Sequence, residues 1–111
     1  MAAYNLKRMT NPTQLGTSAV SVYTAGSGIT AVVKQVLATN CTANSTTFSM
    51  HLVPTGGTTT TSNQIFCLIP VPAYSTLAID LAQVLNAGDS LHALAGTTSS
   101  INLTVSGYEA S

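Results

Sequence analysis

Apolar and polar residues alternate most clearly between Ile29 and Pro54. The pattern predicts two β-strands, ITAVVKQVLATN and STTFSMHLVP, joined by a polar turn around residues 42–44. In the second strand one face is apolar and the other is polar. These faces hold Thr46, Phe48, Met50 and Leu52 on one side, and Thr47, Ser49 and His51 on the other.

The first of these strands breaks its own alternation. Ile29, Ala31 and Val33 share a face, and a strict period of two would then bring Gln35 inward and turn Val36 outward. A β-bulge near Lys34 and Gln35 would return Val36 and Ala38 to the core. The alternative is a strand covered on both faces, with another chain covering one of them.

Five further segments carry strand patterns. They are 14–24, 64–71, 76–81, 90–95 and 101–106, with turn-forming residues at 25–28 and 86–89 and a low-complexity loop at 55–63. The run QIFCLIPV (Gln64–Val71) is continuously apolar after its first residue, which predicts a strand buried on both faces. The sequence therefore predicts an all-β protein, an antiparallel β-sandwich or jelly roll of seven to eight short strands with an extended N-terminal arm. A closed eight-stranded barrel is the alternative.

Residues 1–13 show neither alternation nor a helical period, and Pro12 would break a helix. We predict an arm at 1–13 and one sandwich domain at 14–111. The arm should lack order in the free chain and lie along a neighbouring subunit, so that its deletion leaves the sandwich folded; a frayed terminus is the alternative. The predicted partner-binding residues of this arm are Tyr4, Leu6, Lys7, Arg8 and Met9.

The composition predicts a surface with few charges and many hydroxyl groups. Three basic and three acidic residues make up 5% of the chain, against roughly 25% in an ordinary domain, whereas Thr and Ser supply 30 of 111 residues. A neutral, hydroxyl-rich surface with so few charges tolerates close neighbours, which favours a symmetric homo-oligomer, with a trimer as the expected state. Three basic residues are too few to predict a nucleic-acid partner. The sequence has no apolar stretch of about 18 residues, the length that would predict a membrane span.

Residues capable of chemistry are few, and none of them forms a motif. His51 and His92 fall on the polar faces of their strands, which predicts solvated or interfacial imidazoles; a metal ion on an oligomer axis is the alternative. Asp89 is expected to cap its own turn. Cys41 and Cys67 are expected to be small reduced hydrophobes, or alternatively a disulfide. We predict no catalytic residues, no cofactor and no resident metal, and hence no enzyme.

Binding of sugars is a second class of function for a small β-sandwich. Sugar sites use aromatic platforms, but Trp is absent and the four tyrosines lie in separate segments. The sequence therefore offers little for this alternative.

Three segments, VYTAGSGITAVVKQVLATN, MHLVPTGG and LAQVLNAGDSLHA, resemble small virion proteins of tailed bacteriophages. The likeness covers about Val20 to Tyr108 and lies in strand and turn chemistry. It implies a β-sandwich made in the bacterial cytoplasm and attached to a phage particle. The implied role is a capsid decoration (cement) protein that binds the major capsid protein, or alternatively a neck, tail or fibre component.

Overall fold

The computed structural model describes residues 4–110, with the backbone alone at Tyr4, Lys7 and Asn11. Along this range the chain forms eight strands and one 3-10 turn at Thr61–Asn63. The strands are β1 (Tyr4–Gln14), β2 (Val20–Thr24), β3 (Thr30–Asn40), β4 (Thr46–Val53), β5 (Gln64–Val71), β6 (Thr76–Leu85), β7 (Ser90–Ala95) and β8 (Ile101–Ala110).

The strands form two four-stranded antiparallel sheets. The first sheet has the order β1-β8-β3-β6 and the second has the order β2-β7-β4-β5. Within the sheets β1 pairs with β8, β2 with β7, β3 with β6 and β4 with β5, as in a long hairpin rolled into two layers. This is the topology of a jelly roll, so the predicted fold class is confirmed and the closed barrel is excluded.

The core lies between the sheets and is built from the inward positions of alternating strands. Phe48 and Met50 of β4 are fully buried, and the ring of Phe48 lies 6.1 Å from that of Phe66. The predicted inward sets of β7 and β8 are buried as well: Leu91, Ala93 and Ala95, and Ile101, Leu103 and Val105. Period-two alternation therefore identified most of the core, because each strand has one face against the opposite sheet.

The predicted bulge in β3 is confirmed. The register with both neighbouring strands shifts between Val33 and Gln35, and Lys34 is the unpaired residue between them in the ladder with β8. Val36 and Ala38 are fully buried as a result, while the Lys34 side chain is exposed.

The polar turn after β3 carries the chain from one sheet to the other. Asn40 is fully buried there, and its amide donates to the carbonyl oxygens of Asn44 (2.8 Å) and Val71 (3.1 Å). Its Oδ1 accepts from both the backbone nitrogen (2.9 Å) and the hydroxyl (2.7 Å) of Thr42. One buried amide thus satisfies the backbone of the arch between the sheets.

The expected lack of order in residues 1–13 is wrong for the described part. Strand β1 lies antiparallel to β8 of the same chain, and the predicted strand at 14–24 divides, with Gln14 ending β1 and Val20 beginning β2. Met9 is 7% exposed and belongs to the core. Alternation was hidden because the pairing shifts register twice between Arg8 and Thr13. Residues 1–3 lie outside the described range, and an arm separable from the 14–111 domain stays a prediction.

The expected burial of β5 on both faces is also wrong. It is an edge strand, and Leu68 is 60% exposed. Two residues, Cys67 and Leu68, lie opposite the single residue Ser49, and Leu68 adopts a positive φ of 50° at this bulge. Pro70 agrees with an edge position, because proline cannot donate to a second neighbouring strand.

Candidate partner-binding surface

A shallow, open groove crosses the outer face of the first sheet. It is lined by Leu6, Arg8, Lys34, Ser106, Gly107 and Tyr108. These residues come from β1, β8 and β3, which lie side by side with β8 in the middle. The groove therefore exists only because the two ends of the chain and an internal strand meet in one sheet.

The strand register brings the lining residues together. Leu6 lies opposite Tyr108, and Arg8 lies opposite Ser106. On the other side of β8, the bulged Lys34 stands between the pairs that β3 makes with Ser106 and Gly107. Because alternate residues share a face, Leu6, Arg8, Ser106 and Tyr108 all project outward.

Gly107 sets the floor of the groove. A Cβ at this position would lie 2.0 Å from the carbonyl oxygen of Val32 and 3.1 Å from the sulfur of Met9. The first contact is with main chain, which cannot move without displacing β3. The close approach of β8 to its neighbour thus requires glycine.

The groove contains two of the three basic residues of the chain, Arg8 and Lys34. The sequence has three, Lys7, Arg8 and Lys34, and all of them come from the strands that flank β8. The backbone of Lys7 lies opposite Gly107, and its side chain is outside the described part. Arg8 and Lys34 are exposed and form no ion pair with another described residue. The groove therefore presents the positive charges of Arg8 and Lys34 without an acidic partner among the described residues.

The acidic residues are engaged elsewhere. Glu109 accepts a hydrogen bond from the Tyr23 hydroxyl, and this contact joins β8 of the first sheet to β2 of the second. Burial in the first place, and the bond to Glu109 in the second, raise the pKa of Tyr23 well above its ordinary value. Asp80 accepts from the Gln35 amide at 3.3 Å.

Asp89 caps its own turn, as predicted. Its Oδ2 accepts from the backbone nitrogen of Asn86 at 3.0 Å, and its Oδ1 accepts from the backbone nitrogen of Thr55 at 3.2 Å. The backbone of Asp89 and Gly88 also bonds to Ala25 (2.9 Å each). The turns that follow β2, β4 and β6 thus meet at one end of the sandwich, where they serve as structural connections.

The predicted partner-binding residues divide into three groups. Leu6 (89% exposed) and Arg8 line the groove, whereas Met9 faces the core and packs under Gly107. The side chains of Tyr4 and Lys7 lie outside the described residues. Sequence reasoning did not include Lys34 in the site, although the predicted bulge was the signal that its side chain turns outward.

The outer face of the second sheet holds the two histidines. His51 lies directly opposite His92 in the pairing of β4 with β7, which the sequence did not indicate. The Nδ1 of His51 lies 2.9 Å from the Oδ1 of Asn63, and the Nε2 of His92 lies 3.0 Å from the hydroxyl of Ser90. His51 is only 8% exposed, so the expectation of a solvated or interfacial ring does not hold for it in the isolated chain.

Other predicted chemistry is dispersed. Cys41 and Cys67 are free, as expected for reduced thiols, and both are exposed, so they do not form the alternative disulfide. Tyr23 is buried against Glu109, Tyr74 is exposed in the turn before β6, and Tyr108 lines the groove, so these three form no common aromatic platform. Within residues 4–110 no group of three or more His, Cys, Asp or Glu side chains is arranged to hold a metal ion. The same range has no helix with the length and apolar character of a membrane span.

Comparisons with known proteins identify the fold but no family. No family model and no curated protein matches the chain. A chain in the structure of infectious bursal disease virus, Gx strain, is similar with a TM-score of 0.54 and 9% identity, over 99% of this chain and 31% of that one. A chain in the structure of the Gt strain is similar with a TM-score of 0.50 and 9% identity, over 98% and 32%. This chain spans about a third of the length of those virus chains, and the shared feature is the all-β sandwich fold.

Proposed function

We propose that the chain is a non-enzymatic structural protein of a virus particle, and specifically a capsid decoration (cement) protein of a tailed bacteriophage. In this role it binds the head shell as a homo-oligomer and presents the groove of β1, β8 and β3 to an acidic surface of its neighbour. Its place is the virion. Neck, tail or fibre components are the alternative positions.

The observation that carries the proposal is the set of unpaired cations in the groove. Two of the three basic residues of a chain with so few charges, Arg8 and Lys34, line this groove and have no acidic partner among residues 4–110. Leu6 adds an apolar contact that is 89% exposed. Exposed cations beside an exposed apolar side chain fit an acidic protein surface.

The fold supports the same role without specifying it. Jelly rolls recur in viral shells, and the similar solved chains come from virus structures. Jelly rolls also serve other functions, so the fold alone does not assign one. The phage resemblance of the turn segments adds the proposed type of particle.

Neutralisation of the groove tests the proposal. The variant with Arg8→Gln and Lys34→Gln should bind particles about tenfold more weakly, which corresponds to a loss of about 1.4 kcal/mol of binding free energy. The matched control, Thr97→Glu with Thr98→Glu, lowers the net charge by the same amount on an exposed loop at the opposite end of the sandwich. Quantitative gel analysis of purified particles measures incorporation. Added salt should weaken the binding of the parent chain to the particles, because salt screens the cations of the groove. Equal incorporation of the groove variant and the control would contradict the proposal.

Replacement of the remaining polar groups separates a structural protein from an enzyme. Incorporation should survive His51→Ala, His92→Ala and Asp80→Ala, provided that each variant folds. A hydrolase screen or a glycan array with a clear positive, abolished by one of these changes, would contradict the structural role. Electron microscopy of particles distinguishes head from neck, tail or fibre, and light scattering at high micromolar concentration tests the trimer.

A further inference from the structure

A row of polar side chains crosses the outer face of the second sheet. Strand register places Ser21, His92, His51 and Gln64 side by side on β2, β7, β4 and β5. The two central members are the only histidines in the sequence. This pair is separate from the groove, which lies on the other sheet.

We propose that His51 and His92 bind one divalent transition-metal ion of the zinc, copper or nickel class. Residues directly opposite each other in an antiparallel pair have Cβ atoms about 4.5–5.5 Å apart and project from the same face. Imidazole nitrogens bind zinc at about 2.0–2.1 Å. The register therefore sets both rings at the spacing of a shared ion without movement of the backbone. The ligand atom of His92 is then Nδ1, because its Nε2 lies 3.0 Å from the hydroxyl of Ser90.

The loop at 58–63 fixes the orientation of the His51 ring through Asn63. The amide nitrogen of Asn63 donates to the carbonyl of Thr58 at 2.8 Å, and its Oδ1 accepts from the backbone nitrogen of Thr60 at 3.1 Å. The Oδ1 of Asn63 is therefore an acceptor, so the Nδ1 of His51 is the donor to it and Nε2 carries the lone pair. Metal-binding histidines commonly donate their second ring N–H to an oxygen in this way.

The polar row leaves both rings available to a metal ion. The row contains no carboxylate, so neither ring forms an ion pair within it. With two protein ligands, the remaining coordination positions take water or groups from a second copy.

Titration with Ni²⁺ and with Zn²⁺ tests the site. The exposed thiols are first removed by Cys41→Ser and Cys67→Ser, because cysteine also binds these metals. In this background calorimetry should show binding that weakens at least about tenfold with His51→Gln or His92→Gln, and about 10- to 100-fold with Asn63→Ala. Circular dichroism without metal establishes that each variant folds. Failure to bind either metal in the folded parent, or equal affinity after both histidines are replaced, would overturn the proposal.

Nuclear magnetic resonance gives a second measurement that does not depend on the variants. Paramagnetic Ni²⁺ should broaden the ring signals of both histidines at the same metal concentration. Broadening of one ring alone would overturn the two-histidine site. This inference does not rest on the proposed function, because particle binding and metal binding are measured separately and on different sheets.

Discussion

The two outer faces of the sandwich come from the same alternating pattern, but their polar side chains differ in whether they have partners within the chain. On the first sheet Arg8 and Lys34 point into solvent without an acidic partner. On the second sheet the polar groups are bonded within the chain: Ser49 is 2% exposed and its hydroxyl accepts from the Leu68 backbone nitrogen at 3.0 Å. His51 is similarly held by Asn63.

This difference separates side chains that stabilise the fold from side chains available to a partner. A buried polar group that loses its hydrogen bond destabilises the protein, whereas an exposed, unpaired cation contributes little to stability. Changes to the second sheet should therefore alter folding, and changes to the charges of the first sheet should alter binding. The exception on the first sheet is the glycine beneath the groove.

The largest expected effect on stability comes from Gly107→Ala, which adds a side-chain carbon beneath the groove. The new Cβ would overlap the carbonyl of Val32, and the separation of β8 from β3 should cost on the order of 3 kcal/mol of the free energy of unfolding. Chemical denaturation measures the change. Gly16→Ala is the matched control, since its Cβ would meet nothing nearer than Thr98 at 4.0 Å and should change stability by no more than about 0.5 kcal/mol. Similar stabilities for the two variants would show that the sheet tolerates a wider spacing.

Asn63→Ala should have the next largest effect, and it tests whether the second face stabilises the fold. The change removes the bonds to His51, Thr58 and Thr60, and should lower the free energy of unfolding by about 1–2 kcal/mol. Thermal denaturation measures this loss. Asn44→Ala is the control, because that side chain is exposed in the arch and its backbone oxygen makes the contact. Should the control lose as much as Asn63→Ala, the comparison of the two faces fails.

The smallest effect is a pH dependence confined to the second face. The pKa of His92 is below the ordinary 6.5 in the folded chain, first through burial and then through His51. The unfolded chain therefore takes up its proton at higher pH than the folded chain, and the free energy of unfolding falls as the pH drops below about 6.5. Denaturation at a series of pH values measures this slope, which His92→Gln should reduce. The variant with Arg8→Ala and Lys34→Ala should keep it; an equal loss of slope there would mean that the faces are coupled.

Local patterns in the sequence were sufficient for most of the fold. Alternation identified the inward residues of β7 and β8, the defect at Lys34 predicted the bulge, and the turn residues predicted the cap made by Asp89. These features depend on neighbours in the chain, so periodicity and turn chemistry report them directly. The low charge of the surface likewise followed from composition.

Only the tertiary structure decided which strands are neighbours. Strand β1 had no clear alternation because its pairing with β8 shifts register twice, and the apolar run of β5 gave no sign of an edge position except Pro70. The groove joins residues about 100 positions apart, and His51 meets His92 across 41 positions, through backbone hydrogen bonds between distant strands. Such pairings depend on how the whole chain rolls into two sheets, because a strand's own residues specify its faces but not its partner.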